Sequence, residues 1–416
     1  MPVNKRKTLL LVILGMLSAI GPFSIDMYLP AFSAIASDLH TNVATIAMSL
    51  SSFFIGICFG QFLYGPLLDR FGRKKPLYAG ITIYLLASVG CALVGSANGL
   101  IALRFVQAIG GCAGTVASRA MVRDIFPVGE NAKIFSKLML VIAVSPIIAP
   151  TLGGYVTHLI GWHFVFVILA VMSALILLGV HFYLPESRKP DPSFSLKPAP
   201  IIKGFWLVLK NRQFYTYSFT GAVSAAGLYA YIAGSPAVFM ELFKVSEKQY
   251  GWIFATVAMG LIICSQINSI LLQRYKSEQI IRVALVMQSI TGIVLFTGSL
   301  YGRLGLAGTI ICCCIVLSCQ GFTFPNSSAL SMAPFSKNAG SASAMMGGIQ
   351  MGLGAGTSLL VSILSKKDHS AVPMTVVMVG CSVTSLIILA LGRKMIRKTP
   401  SIEEAGEDAL EMMATS

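Results

Sequence analysis

The sequence predicts an all-α membrane protein of twelve transmembrane helices in two six-helix bundles. Hydrophobic residues make up 55% of the 416 residues and charged residues only 11%, against roughly a quarter charged in a soluble domain. The apolar residues are spread over the whole length instead of being confined to one or two runs. A segment rich in proline and basic residues divides the apolar runs into two blocks of six.

Apolar runs of about 20 residues are long enough to cross the roughly 30 Å hydrocarbon core as helices. Twelve such runs are present, and an even number of spans places both termini on the same side of the membrane. The runs begin near residues 8, 45, 77, 100, 136, 163, 214, 250, 279, 304, 341 and 372.

The charges of the loops predict that both termini are cytoplasmic. With the N-terminus inside, 25 of the 31 Lys and Arg residues fall in cytoplasmic segments, five in external segments and one inside a span. This asymmetry follows the positive-inside rule. The alternative for the first span is a cleaved secretory signal with Lys5 to Lys7 as its basic region. Its removal would leave eleven spans and break the alternation of loop charge.

Neither the net charge of +15 nor the nine cysteines indicate a nucleic-acid partner, a metal or a cofactor. The basic residues cluster in loops between spans, so we expect a lipid bilayer and no nucleic acid as their partner. All nine cysteines fall in apolar runs, without CxxC or histidines at metal-ligand spacing, so we expect no metal site and no cofactor. The predicted organisation is an N-terminal bundle (1–184), a cytoplasmic linker (185–212), a C-terminal bundle (213–398) and an acidic cytoplasmic tail (399–416).

Two charges lie inside spans, Asp26 in the first and Arg104 in the fourth. Ionisable groups at membrane depth cost several kcal/mol unless they are paired or hydrated, so we expect a function for both. Counting along the apolar runs places Asp26 about four residues and Arg104 about five residues inside the external ends of their helices. The two side chains would then lie at one level. The sequence leaves open whether they touch.

We expect Asp26 and Arg104 to couple protons to transport. Burial favours the neutral acid and a nearby guanidinium favours the carboxylate, so the proton affinity of Asp26 would change as access alternates. In this hypothesis Asp26 takes a proton from outside and releases it inside as substrate binds. Arg104 biases the exchange, and Gln107, one turn away, is a polar neighbour. The alternative is a structural ion pair that only holds the first and fourth helices together.

The loop between the second and third spans reads Gly65-Pro-Leu-Leu-Asp69-Arg70-Phe-Gly72-Arg73-Lys74-Lys75. It resembles the signature loop of the major facilitator superfamily, which implies the two-bundle fold and a gating role for this loop. Gly65 would permit close helix approach, Asp69 would sit at the positive N-terminus of a neighbouring helix, and the basic cluster would anchor the loop at the cytoplasmic face. A purely topological role of these charges is the alternative.

The eleventh span offers a partner for Asp69. It starts after Lys337-Asn338-Ala339-Gly340 without an acid of its own to complement the helix dipole. We expect this contact to latch the two bundles together on the cytoplasmic side. Small residues at positions 340, 344, 348, 352 and 356 of the same span suit either static packing or sliding of one bundle on the other.

Three further stretches extend the resemblance: Ser24-Ile-Asp26-Met-Tyr28-Leu-Pro30 in the first span, Arg104-Phe-Val-Gln107-Ala108 in the fourth, and Ser145-Pro146-Ile-Ile-Ala-Pro150-Thr-Leu-Gly153-Gly154 in the fifth. The first is similar to the bicyclomycin-resistance (Bcr/CflA) drug exporters. The third is similar to a motif associated with exporters of the superfamily, which implies a conformational role for Pro146, Pro150, Gly153 and Gly154. The resemblance implies a protein of the bacterial inner (cytoplasmic) membrane.

Aromatic and polar residues of the spans suggest the substrate cavity. Taken together they suit an amphiphilic, aromatic-compatible substrate better than a sugar, although each alone fits packing or lipid contact as well. The candidates are Tyr28, Gln107, Tyr217, Tyr229 and Tyr231.

The sequence therefore predicts a monomeric, proton-coupled antiporter that exports small amphiphilic compounds or drugs by alternating access. The alternative is a proton-coupled transporter of one specific metabolite, either an exporter or a symporting importer. An ATP-driven pump is excluded because there is no GxxxxGK[ST] phosphate loop. No nucleophile and base form a catalytic set, so we expect no enzymatic activity. A channel remains a further alternative.

Overall fold

The computed structural model of the chain describes residues 3–126, 128–191, 205, 206, 208–335 and 339–397. These residues form helices and connecting turns, with no β-strand among them. Twelve of the described helical segments are long and apolar enough to cross a membrane. The predicted fold class is confirmed. The predicted acidic tail and residues 192–204 of the linker lie outside the described residues.

The spans begin within about four residues of their predicted starts. The first six lie at Thr8–Asp38, Val43–Phe71, Lys74–Leu93, Ala97–Ile125, Leu140–Ile160 and His163–Phe182. The last six lie at Arg212–Leu242, Glu247–Leu271, Ser277–Leu300, Leu306–Met332, Ala342–Ser365 and Val372–Lys394.

Polar side chains start several of these helices by accepting a hydrogen bond from a free backbone N–H of the first turn. Asn42, Ser96 and Asn211 cap the second, fourth and seventh spans in this way. Ser246 and Gln249 form a reciprocal capping box at the start of the eighth span. These caps fix where the chain enters each helix.

Three spans are not continuous α-helices, and each interruption leaves backbone groups that neighbouring helices must satisfy. The first span consists of Val3–Asp26, Leu29–Ala31 and Phe32–Asp38. The seventh consists of Arg212–Pro236 and the π-helical turn Ala237–Leu242. The tenth consists of Leu306–Ser318 and Gln320–Met332. The break in the first span positions the site described below.

The first six and last six spans meet mainly along two seams. The second span packs against the eleventh, and the fifth packs against the eighth. Ser51 and Ser358 share a 2.8 Å hydrogen bond across the first seam. In the same seam the Cys58 thiol donates to the Gly348 carbonyl oxygen at 3.5 Å. These seams are where relative motion of the two sets of helices would have to occur.

Candidate functional site

The first span breaks at Asp26. Its main helix ends at this residue, and one 3-10 turn precedes a second helix that starts at Phe32. Pro30 explains the break, because it has no N–H for the helical ladder and disfavours a helical residue before it. The span nevertheless continues to Asp38, so Asp26 lies twelve residues from its end. The predicted depth of about four residues is therefore wrong, and Asp26 lies deeper in the protein.

The Asp26 carboxylate has no partner among the residues that the structure describes. Only 5% of the residue is exposed, and no described side chain hydrogen-bonds to it or forms an ion pair with it. The turn Leu29–Ala31 that follows Asp26 packs against the seventh and eighth spans, and the hydroxyls of Tyr229 and Tyr250 in those spans lie within range of the charge of Asp26. Asp26 thus lies where the first six spans meet the last six.

Arg104 is completely buried and joins several spans through hydrogen bonds. One guanidinium nitrogen donates to the Gln107 Oε1 at 2.5 Å, and another donates to the Ser24 backbone carbonyl at 2.9 Å. The Gln107 amide nitrogen in turn donates to the Ser88 hydroxyl at 2.7 Å. This network links the first, third and fourth spans.

Aromatic rings surround the rest of the Arg104 guanidinium. Its central carbon lies 4.1 Å from the Phe53 ring centroid, 4.6 Å from that of Tyr28 and 5.9 Å from that of Phe166. The Tyr28 hydroxyl shares a 2.8 Å hydrogen bond with the Ser49 hydroxyl. Cation–π contact with several rings is one of the few ways to hold an arginine away from water without a counter-ion.

Asp26 and Arg104 do not form an ion pair in this structure. Arg104 is bonded to the carbonyl of Ser24, two residues before Asp26. The guanidinium therefore acts on the backbone that leads into the helix break, and no described hydrogen bond or ion pair joins it to the carboxylate.

The predicted cavity residues are divided among different places. Tyr28 and Gln107 belong to the Arg104 network. Tyr217 hydrogen-bonds to Glu278 at the predicted cytoplasmic end of the seventh span, so the structure does not bring it to Asp26. Tyr231 is buried, with its ring 5.7 Å from that of Phe254. Of the predicted cavity tyrosines, the structure associates Tyr229 with Asp26.

Tyr229 lies where the second, seventh and eleventh spans meet. Its ring centroid is 4.7 Å from that of Phe54 in an edge-on arrangement. Its hydroxyl accepts a 3.4 Å hydrogen bond from the Gln350 amide nitrogen and lies 3.8 Å from the Met351 sulfur. A β-carbon at Gly354 would collide with the Tyr229 ring. The glycine thus lets the ring lie directly on the backbone of the eleventh span.

The Pro and Gly residues of the fifth span bring its backbone against two other spans. A β-carbon at Gly153 would collide with the Met27 carbonyl, and one at Gly154 would lie 2.5 Å from the Glu247 carbonyl oxygen. Gly251 in the eighth span mirrors this contact, because a β-carbon there would lie 2.8 Å from the Pro150 carbonyl oxygen. Pro146 and Pro150 both lie inside the fifth-span helix. The predicted external ends of the fifth and eighth spans are closed against each other.

Side chains reinforce this closure. The His158 Nδ1 lies 3.9 Å from a Glu247 carboxylate oxygen. The Lys248 ammonium lies 5.5 Å from the Tyr155 ring centroid. Both contacts join the fifth span to the start of the eighth.

Replacing Gly154 with Val should prevent the fifth and eighth spans from closing. A β-branched side chain cannot fit a gap in which even a β-carbon lies 2.5 Å from the Glu247 carbonyl oxygen. We expect faster amide hydrogen exchange in residues 247–260 and strongly reduced transport. Gly21→Val is the matched control, because a β-carbon at Gly21 meets nothing within 4 Å. Unchanged exchange in the Gly154 variant would show that the glycine contact does not hold this closure.

The loop between the second and third spans is held by charges of the first six spans and the residues that follow them. Arg73 donates from its Nε to Asp124 at 2.7 Å and from its Nη1 to Asp69 at 2.9 Å. Burial would lower the pKa of Arg73, but the hydrogen bonds that it donates to Asp124 and Asp69, and the charges of these carboxylates, outweigh burial and raise that pKa. Glu186 accepts from the backbone N–H of Arg73 at 2.7 Å and from that of Lys74 at 3.1 Å.

Asp69 shares its carboxylate between Arg73 and Arg188, the latter at 3.1 Å. Residues 336–338, which precede the eleventh span, lie outside the described residues, so the expected latch stays a prediction. Gly72 has a φ of +81°, a conformation that favours glycine. A β-carbon at Gly65 would meet nothing within 4 Å. The close helix approach expected at Gly65 stays a prediction.

A comparison with protein-family models identifies residues 14–359 as matching the Major Facilitator Superfamily. The chain belongs to this superfamily. Its relatives include a bicyclomycin resistance protein homolog of Haemophilus influenzae, which is 31% identical over 92% of this chain and 96% of the relative. The multidrug resistance protein MdtL of Escherichia coli O139:H28 is 29% identical over 88% of this chain and 91% of its own length. The predicted resemblance is confirmed.

The fold agrees with solved structures of the superfamily. A mutant of the nucleoside transporter NupG superposes with a TM-score of 0.71 at 15% identity, covering 92% of this chain and 99% of NupG. Such low identity shows the fold alone. Together with the twelve spans, the family makes this chain a multi-pass bacterial membrane protein with the fold of a membrane transporter.

Three residues near Asp26 or Tyr229 were missed by sequence reasoning in this superfamily member: Phe54, Tyr250 and Gln350. Phe54 is one of several phenylalanines in an apolar run, and Tyr250 lies near the start of its span, where tyrosine is common for interfacial reasons. Gln350 carried a usable signal, because an amide within an apolar span is costly unless it has a partner.

Proposed function

We propose that this chain is a proton-coupled secondary exporter, an antiporter of small amphiphilic compounds or drugs across the bacterial inner membrane. The observation that carries this proposal is the Asp26 carboxylate, which is 5% exposed and has no partner among the described residues. An unpartnered ionisable group at membrane depth is expensive and marks an ion or proton pathway. The names of the drug-resistance relatives support the class of substrate.

In this proposal Asp26 carries either a proton or a substrate group, but not both. A bare carboxylate enclosed between helices is costly, whereas a neutral acid or a carboxylate facing a bound ligand is not. Closing the site is therefore favoured only when one of the two is bound. This exclusivity would couple inward proton movement to outward substrate movement.

We propose that Arg104 is a positioning residue in this cycle. It holds the Ser24 carbonyl at 2.9 Å and so fixes the turn of backbone that presents Asp26. Its fully buried cation also contributes a positive field to the first six spans. Arg104 would bias the proton affinity of Asp26 through the position of this backbone, without contacting the carboxylate.

The helix break at Asp26 would also transmit the effect of protonation to the closed external ends of the fifth and eighth spans. The carbonyl of Met27, the next residue, contacts Gly153, and the neighbouring Gly154 contacts the eighth span at Glu247. A small shift of the break would therefore move the fifth span relative to the eighth. We propose that this contact opens the external end when Asp26 exchanges its ligand, and that Asp69 leaves Arg188 for the eleventh span when the cytoplasmic end closes.

We propose Tyr229 as the principal cavity tyrosine, assisted by Tyr250 and Phe54. Tyr229 touches the second and eleventh spans and interacts electrostatically with Asp26. Tyr229 could therefore contact a bound substrate, and its contacts would change when the two sets of helices move relative to each other. An aromatic ring beside an acid suits an amphiphilic ligand.

The proposal is tested by comparing the susceptibility of cells with and without the gene to a panel of drugs that includes bicyclomycin. Expression should raise the tolerated concentration of at least one compound, and collapsing the proton gradient should restore its accumulation. Everted vesicles should then take that compound up when their lumen is acidified. Uptake by right-side-out vesicles along an inward proton gradient would identify a symporting importer instead.

A further inference from the structure

A cluster of basic and aromatic side chains lies at the predicted cytoplasmic ends of the third and sixth spans. The Tyr78 hydroxyl and the His181 Nδ1 are 3.4 Å apart, and the Lys74 ammonium lies 5.7 Å from the Tyr78 ring centroid. Lys75 is exposed beside Lys74. Neither lysine has an ion-pair partner within the described ranges of the chain. We call Lys74, Lys75, Tyr78 and His181 the headgroup cluster.

Three acids near the start of the third span accept hydrogen bonds from groups other than the two lysine side chains. Glu186 accepts from the backbone N–H groups of Arg73 and Lys74. Asp69 and Asp124 are bonded to the Arg73 guanidinium. The positive charge of the two lysine side chains therefore remains open to an external anion.

The surface next to this cluster, toward the membrane interior, is apolar and exposed. Leu86 lies eight residues after Tyr78 and Leu178 lies three residues before His181, so each shares a helix face with its partner in the cluster. Their exposed fractions are 63% and 55%. Phe182, the last residue of the sixth span, lies on the cytoplasmic side of His181 and is 69% exposed. The third and sixth spans pack against each other, so these side chains border one shallow surface between the two helices.

We propose that this surface binds one anionic phospholipid of the cytoplasmic leaflet. The phosphate would lie on Lys74, Lys75 and the Tyr78 and His181 pair, and the acyl chains would lie along Leu86 and Leu178. The lysines at the cytoplasmic face match the charged headgroup of a lipid, and the exposed apolar side chains toward the membrane interior match its acyl chains. Two lysines without an ion-pair partner among the described residues favour an anionic headgroup over a zwitterionic one, whose amine would face the same charges.

Native mass spectrometry of the full chain in mild detergent tests the proposal. The protein is exposed to equal amounts of phosphatidylglycerol and phosphatidylethanolamine with identical acyl chains. We expect the wild type to retain phosphatidylglycerol preferentially. Lys74→Gln with Lys75→Gln should lower its retention about 25-fold, since each lysine near a lipid headgroup contributes roughly fivefold.

Two controls make the result decisive. Lys366 and Lys367 form an exposed pair in the loop before the twelfth span, at the opposite predicted face, and their double Gln variant should retain phosphatidylglycerol like the wild type. Lys74→Arg with Lys75→Arg keeps the charge and should also retain it, and single Gln variants should be intermediate if the double variant is poorly folded. Equal retention of the two lipids by the wild type, or equal losses in both double Gln variants, would overturn the proposal.

Discussion

Replacing Asp26 with Asn should reduce proton-driven export to background while leaving the protein inserted and folded. The amide has nearly the same shape but cannot exchange a proton, so the site can no longer alternate between a proton and a substrate. Thermal stability in detergent should be unchanged or higher, because an unpartnered ionisable group is removed from a buried place. Drug tolerance in cells and melting of the purified protein measure the two effects.

Asp38 provides the matched control for this variant. It lies in the same span, and its carboxylate accepts from the Trp162 indole N–H at 3.1 Å, but its side chain is 53% exposed. Asp38→Asn should leave export close to wild type. Normal export by Asp26→Asn together with lower stability would mean that Asp26 is structural and that the proton passes elsewhere.

Replacing Arg104 with Ala should destabilise the protein more than Asp26→Asn, Asp38→Asn or Arg123→Ala. The side chain is fully buried, and its removal leaves the Gln107 Oε1 and Ser24 carbonyl without their donor as well as a cavity between Phe53 and Tyr28. Unpaired buried polar groups and a large cavity together cost on the order of 4 kcal/mol or more. We expect little folded protein at 37 °C. Arg123→Ala, on the exposed surface of the same span, is the control.

Arg104→Lys separates the charge from the shape of the guanidinium. Lysine keeps the positive field, but it cannot donate to both the Gln107 side chain and the Ser24 carbonyl from one flat group stacked on rings. We therefore expect a folded but destabilised protein in which the pH dependence of export is shifted. Wild-type stability and an unshifted pH profile in this variant would show that neither the paired hydrogen bonds of the guanidinium nor its stacking on the rings is needed for folding or export.

The spans and the charged positions could be predicted because both depend on local sequence. Crossing hydrocarbon requires a continuous apolar run, and caps such as Asn42 and Ser96 mark where such runs begin. The importance of Asp26 and Arg104 followed from the same cost of charge at membrane depth. The spans and the importance of these two charges can be predicted without knowing how the helices pack against each other.

The partners of these residues could not be predicted, because they depend on helix rotation and on how the halves approach. The first span was expected to end about four residues after Asp26, yet the chain resumes a helix and extends the span to Asp38. Arg104 contacts a backbone carbonyl and three rings, whereas the sequence left open whether it touches Asp26. Tyr217 and Tyr229 look alike in sequence, but only the latter lies near the acid.

The most direct test of the proton-coupling proposal is substrate-induced proton release by purified protein in weakly buffered detergent solution. Adding a compound identified in the susceptibility panel should release protons from the wild type, up to one per molecule, and none from Asp26→Asn. Asp38→Asn should behave as the wild type. Undiminished release by Asp26→Asn, or more than one proton per molecule from the wild type, would contradict a mechanism that rests on this single carboxylate.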